Sequence, residues 1–85
     1  MVARATYDLA AARKIYLQVF GMVRNDRSRA YKAGCMAGIL RELDVAYRTV
    51  PYVCGTAQCD AWHYGFAEGR NRARWYKAWV GPFGA

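Results

Sequence analysis

Three residues that can bind metals or act as nucleophiles lie close together in the second half of the chain. Cys54, Cys59 and His63 follow a C-x4-C-x3-H spacing, and Asp60 lies beside them. Zinc in a structural site needs four ligands. Cys35 could supply a fourth ligand, but nothing in the sequence requires it. We therefore predict no metal site and no cofactor, and we interpret the three cysteines as reduced thiols.

A catalytic site is the second possibility for these residues. It would need a nucleophile beside a base, or a pair of carboxylates with shifted pKa values. The chain has one histidine and six scattered acidic residues. Cys59 and His63 are one helical turn apart and could form a thiolate–imidazole pair, but no third group accompanies them. We predict that the protein is not an enzyme and has no catalytic residues.

The charge of the chain points to a binding function. Thirteen Lys and Arg residues stand against six Asp and Glu residues, which gives a net charge of +7. Arginine dominates this set, and its planar guanidinium suits bidentate contacts with phosphate or carboxylate groups. Such a surface attracts nucleic acids or an acidic patch on another protein.

The basic residues form two clusters, one near the start of the second predicted helix and one along a face of the third. Tyr64, Trp75 and Trp79 interleave with the second cluster. Basic residues alternating with aromatic rings suit RNA, whose exposed bases stack on such rings. The alternative is a solvated basic face whose aromatic residues point into the core. The predicted contact residues are Arg24, Arg27, Arg29, Lys32, Arg70, Arg74 and Lys77.

Hydrophobic periodicity predicts three helices in one domain that covers residues 1–85. Apolar residues recur at steps of three and four over about 6–23, 27–46 and 57–79. Pro51 ends the second segment because proline cannot continue a helix. Hydrophobic residues make up 55% of the chain, which is ample for a globular core. The fold class is therefore predicted to be all-α.

A repeated motif predicts how two of these helices pair. The pattern A-Y-x-x-G-x-x-x-G at 30–38 has a counterpart, A-W-x-x-G-x-x-x-G, at 61–69. Glycine within a helix costs about 1 kcal/mol relative to alanine, and close approach of another backbone is the usual compensation. We predict that the second and third helices form an antiparallel pair along a glycine and alanine seam. The first helix packs across them.

Three short motifs stand out: Y-x-A-G at 31–34, P-Y at 51–52 and W-x-x-G-F at 62–66. Together they resemble the ribosome modulation factor family, and the resemblance covers about residues 29–70. It implies a small helical protein that binds ribosomal RNA or the ribosome and down-regulates translation. The chain departs from the family in having an additional N-terminal helix. The positions that the resemblance marks as fold-defining are Tyr31, Gly34, Pro51, Tyr52, Trp62 and Gly65.

Two other functions fit the same composition. A small phage-type inhibitor, such as an anti-CRISPR or other anti-defence protein, would bind a host protein complex through its basic face. An obligate oligomer would use part of its aromatic surface as a structural interface. The sequence has no signal-like apolar segment and no apolar run of about 20 residues that could cross a bilayer. We therefore expect a cytoplasmic protein with no membrane partner.

Overall fold

The computed structural model describes residues 8–20 and 27–80, the side chains of 79 and 80 excepted. These residues form three helices: α1 (Leu9–Phe20), α2 (Arg29–Glu42) and α3 (Ala57–Val80). No strand occurs in the described ranges, so the predicted all-α fold is confirmed. The outer ends of the first predicted helix, 6–23, lie outside the described residues. None of the three helices is both long and apolar enough to span a membrane, as far as the described ranges extend.

Polar side chains fix where the helices begin. The Asp8 carboxylate accepts a hydrogen bond from the Ala11 amide at 3.0 Å, and Ser28 Oγ accepts one from the Tyr31 amide at 3.1 Å. Thr56 Oγ1 does the same for the Cys59 amide at 3.2 Å. Each cap satisfies an amide that has no partner within its own helix. The start of the third helix is therefore as predicted, and its end at residue 80 lies one residue beyond the prediction.

The second helix ends four residues earlier than predicted. The Asp44 amide donates to the Arg41 carbonyl, and the Val45 amide donates to the Leu40 carbonyl at 2.8 Å. This pair of bonds defines a Schellman motif, which requires a left-handed residue just after the helix. Asp44 takes that conformation with φ of 63°. The prediction to residue 46 was wrong because an aspartate, not a glycine, ends this helix, and aspartate tolerates the left-handed region.

The glycine seam between α2 and α3 is present as predicted. A methyl group on Gly34 would overlap the carbonyl oxygen of Trp62, and one on Gly65 would overlap the carbonyl oxygen of Tyr31. Gly38 and Gly69 meet the main chain of the facing helix in the same way. The two backbones therefore touch directly, which only residues without a Cβ allow.

The predicted direction of this pairing was wrong: α2 and α3 run parallel. Gly34 faces Trp62 and, one turn further along both helices, Gly38 faces Phe66. The connection over residues 43–56 makes this possible. A fully extended chain of that length spans roughly 45 Å, about twice the ~21 Å length of α2. It returns along the pair, where the rings of Tyr47 and Phe66 lie 5.8 Å apart.

Helix α1 packs on the pair through side chains. Its Ala12 and Ile15 are buried together with residues of both other helices. Cys35 and Ile39 of α2 are fully buried in this core, whereas Ala33 is exposed. The buried face of α2 is therefore centred on the glycine side of the helix. Among the described residues, the buried core cluster consists of Ala12, Ile15, Cys35, Ile39, Leu43 and Ala73.

Candidate nucleic-acid interface

The second predicted basic cluster assembles around one carboxylate. Arg70 Nε lies 3.2 Å and Arg74 Nε 3.3 Å from Glu42 Oε1, and Lys77 Nζ lies 3.4 Å from Glu42 Oε2. Lys77 also donates to the main-chain carbonyl of Glu42 at 3.0 Å. That carbonyl is in the last turn of α2, where it has no partner within the helix. We call Glu42, Arg70, Arg74 and Lys77 the Glu42 cluster.

In the Glu42 cluster, the carboxylate is less exposed to solvent than the cations around it. The Glu42 side chain is 15% exposed, whereas that of Arg74 is 56% exposed. Partial burial would raise the pKa of Glu42, but hydrogen bonds from Arg70 and Lys77 and the charges of Lys77 and Arg74 outweigh it and lower the pKa. The carboxylate is therefore ionised at neutral pH. Three cations around one anion leave an excess of two positive charges on a partly exposed surface.

The first predicted basic cluster lies at the opposite end of α2. The Arg27 guanidinium lies 4.5 Å from the centre of the Tyr31 ring, and Lys32 Nζ lies 5.9 Å from that of Phe20. Arg29 and Lys32 line a shallow cavity beside Tyr16. Arg24 lies outside the described residues. The two predicted clusters therefore remain separate, because they lie at opposite ends of α2, about 20 Å apart along its axis.

The amino end of α2 adds to the positive charge of the first cluster. Aligned peptide dipoles give a helix start the equivalent of about half a positive charge.

A second carboxylate, Glu68, links the start of α2 to α3. The Tyr31 hydroxyl in the first turn of α2 donates to Glu68 at 2.8 Å, and Arg72 Nε lies 3.1 Å from the other Glu68 oxygen. These contacts lower the pKa of Glu68, with the Tyr31 hydrogen bond as the main cause. Arg72 was missing from the predicted contacts; its i,i+4 spacing from Glu68 was the available signal.

The aromatic residues of α3 divide between core and surface. Trp62 is buried and stacks on Phe66 with ring centres 5.2 Å apart. Tyr64 is 72% exposed and Trp75 is 65% exposed. The alternative in which all the interleaved aromatic residues point inward is therefore wrong for these two. The Trp79 side chain lies outside the described part of the chain.

Cys54 and Cys59 lie close enough to interact, but with His63 they do not form a group that could hold a metal ion. Cys54 is exposed, Cys59 is buried, and within the described residues no three His, Cys, Asp or Glu side chains come close enough to hold a metal ion. Burial raises the pKa of Cys59 and raises that of Cys35 to about 12. This disfavours the thiolate that a Cys59–His63 pair would need.

Comparison of the chain with protein-family models, with curated proteins and with solved structures finds no match. The resemblance to the ribosome modulation factor family therefore stays a prediction from short motifs.

Proposed function

We propose that the protein is a non-catalytic RNA-binding module that docks on ribosomal RNA through the Glu42 cluster and thereby lowers translation. The observation that carries this proposal is the arrangement of Arg70, Arg74 and Lys77 around a single, mostly buried carboxylate. The positive charge is held in one place before any ligand arrives.

The contact geometry of the two arginines supports phosphate as the ligand. Arg70 and Arg74 each approach Glu42 through Nε, and their side chains are 39% and 56% exposed. We expect the outer guanidinium nitrogens of both residues to be accessible to a ligand. Those nitrogens can contact phosphate oxygens in a bidentate manner. Because Glu42 already orders both side chains, binding would cost less conformational entropy than it would for unrestrained arginines.

The ribosomal target is supported by the sequence motifs and not by the charges. The glycines in the first and third motifs, Gly34 and Gly65, are two of the four glycines at which α2 and α3 touch. The resemblance thus includes residues with a clear structural purpose. A protein of this shape that occupied exposed ribosomal RNA would compete with the contacts that translation needs.

The experiment compares two variants of equal net charge. The cluster variant combines Arg70→Gln, Arg74→Gln, Lys77→Gln and Glu42→Gln, so that no carboxylate is left without partners. The control variant combines Arg13→Gln and Arg48→Gln, at two exposed positions that do not belong to the cluster. Both changes lower the net charge by two. Binding to purified bacterial ribosomes and to a single-stranded RNA would be measured across a range of salt concentrations.

We expect wild-type affinity for RNA to fall steeply with salt, because phosphate contacts release counterions. The cluster variant should bind at least about tenfold more weakly and show a shallower salt dependence, with unchanged helicity by circular dichroism. The control variant should stay near wild type. Equal losses of RNA affinity in both variants would show that only the net charge matters and not the Glu42 cluster. Absence of RNA binding by the wild type at low salt would refute the proposal.

A protein target is the second candidate, and the exposed apolar residues favour it. Val53 is 76% exposed, and Tyr64 and Trp75 are also largely solvent-facing. Aromatic and arginine residues of this kind dominate the energetics of protein interfaces. In this case the protein would act as a phage-type inhibitor of a host complex. A pull-down from bacterial lysate separates the two: a partner that survives nuclease treatment favours the inhibitor.

A further inference from the structure

A groove between α1 and α3 lies on the side of α3 away from the Glu42 cluster. It encloses about 650 Å³ and is open to solvent along one side. We propose that this groove binds one unpaired base of the RNA strand, stacked on Trp75. The inference rests on the proposed RNA-binding function and names the part of the ligand that the groove would recognise. The residues on which the argument depends are Ile15, Gln18, Asn71, Arg72, Trp75 and Tyr76.

Trp75 provides the stacking surface. Trp75 is 65% exposed although it belongs to the longest helix of the fold. Within the described residues its ring makes no stacking or edge contact with another aromatic ring, unlike Trp62, which stacks on Phe66. An exposed indole beside a cavity is a platform on which any base can stack, since every base has a π face.

Two carboxamide side chains supply the polar groups that a base edge requires. Gln18 of α1 and Asn71 of α3 both line the groove. Asn71 lies one helical turn before Trp75, so the two side chains share one face of α3. A carboxamide offers both a donor and an acceptor, and Asn and Gln pair well with the edge of adenine. In the described part of the structure neither side chain makes a hydrogen bond to another residue.

The floor of the groove is apolar. Ile15 is almost fully buried, and Val19 and Tyr76 are partly buried beside it. Ligand sites commonly combine such a floor with a few polar groups at the rim, and their volumes range over roughly 300–1,000 Å³. The groove therefore has room for a purine that lies flat against Trp75.

The positions of the cations favour a nucleotide over an apolar peptide side chain. Arg72 and its ion-pair partner Glu68 both line the groove; the Arg72 side chain is 58% exposed, and its contact with Glu68 uses Nε. Arg74 of the Glu42 cluster is the residue immediately before Trp75. The two sides of α3 are separated by about 10 Å, the width of a helix. A strand crossing α3 could place phosphates on the Glu42 cluster and a base in the groove.

The test uses two probes that differ only in their bases: an oligoadenylate and an abasic RNA of the same length. Their affinities for wild type, Trp75→Ala and Trp75→Phe would be measured by fluorescence anisotropy at constant low salt. Leu17→Ala is the matched control, because Leu17 is exposed and lies on the opposite face of α1. Circular dichroism and light scattering would accompany each variant.

We expect wild type to bind oligoadenylate at least about tenfold more tightly than the abasic RNA. Trp75→Ala should remove most of that preference and leave the affinity for the abasic RNA unchanged. Trp75→Phe should restore a large part of it, because a phenyl ring still stacks. The Leu17→Ala variant should retain the wild-type preference.

The opposing outcomes separate this inference from the function on which it rests. If both probes bind equally well and Trp75→Ala changes neither affinity, the base site is refuted while RNA binding through the phosphates stands. If neither probe binds to wild type, both proposals fail. A change of oligomeric state in Trp75→Ala without loss of base preference would assign the groove to a second copy of the chain and refute the base site.

Discussion

The two interfaces of this fold are built in opposite ways. Helices α2 and α3 touch through their main chains at four glycines, whereas α1 lies on them through side chains such as Ile15. The outer face of α1 even leaves Leu17 60% exposed. A backbone contact leaves no atom that could move aside, while a side-chain contact can repack. The seam is therefore expected to be the rigid frame of the protein, and the α1 interface its adaptable part.

The largest effect should come from Gly65→Ala. The new methyl group would overlap the main-chain carbonyl of Tyr31, so the two helices would have to separate along the seam. Overpacking usually costs about 1–3 kcal/mol, and a backbone clash with no flexible neighbour should exceed that range. We expect a loss of at least about 3 kcal/mol in the free energy of unfolding, measured by urea denaturation, or failure to fold.

The control for that substitution is Ala67→Leu, which adds more atoms two residues further along α3 at an exposed position. It should change the free energy of unfolding by no more than about 0.5 kcal/mol. A Gly65→Ala protein as stable as wild type would show that the seam can widen, and the contrast between the two interfaces would disappear.

A smaller effect is expected from Ile15→Ala in the α1 interface. Ile15 is 1% exposed, so its truncation removes buried apolar surface and leaves a cavity. Such changes cost about 2–5 kcal/mol, and we expect a value near the lower end because α1 can move inward. Native-state hydrogen exchange should show faster exchange in α1 than in the seam. If amide hydrogen exchange became faster by the same factor in all three helices, α1 would unfold together with the seam and would not be the adaptable part of the fold.

The smallest effect concerns the Glu42 cluster, which joins the carboxyl end of α2 to α3. Glu42 and Glu68 both have lowered pKa values in the folded protein. Each contributes stability above its unfolded pKa, near the usual value of 4.5, and that contribution is lost as the pH falls through the folded value. We therefore expect the midpoint of thermal unfolding to drop as the pH is lowered below about 4.5.

Glu42→Gln should flatten that pH dependence. It should lower the free energy of unfolding at neutral pH by only about 1 kcal/mol, because the partners of Glu42 are partly exposed and screened by solvent. Asp44→Asn is the matched control, because Asp44 is exposed and asparagine tolerates its left-handed conformation. If both variants keep the wild-type pH profile, Glu42 does not couple the two helices.

Local sequence features predicted most of the fold. Apolar spacing located the three helices, and the repeated glycine motif identified the seam. The direction of the seam was missed, because two glycines four residues apart on each helix can be matched with the helices running either way. The long connection over residues 43–56 was the available signal, because a short turn between neighbouring helices would have required antiparallel packing.

The candidate site was predicted only in part. The steps between Arg70, Arg74 and Lys77 placed them on one face of a helix, since helical periodicity is a local property. Their gathering around Glu42 was beyond reach, because it depends on where α2 ends and on the direction of the seam. The groove beside Trp75 was missed for the same reason: its walls come from α1 and α3, which only tertiary packing brings together.

The parallel seam also determines the order in which the chain can fold. Its contacts join residues about 30 positions apart, so neither side of the seam can form until that loop has closed. A helix as short as α2 is marginal in isolation, and its two glycines weaken it further. We therefore expect α2 to acquire its helicity together with the seam, in one cooperative step.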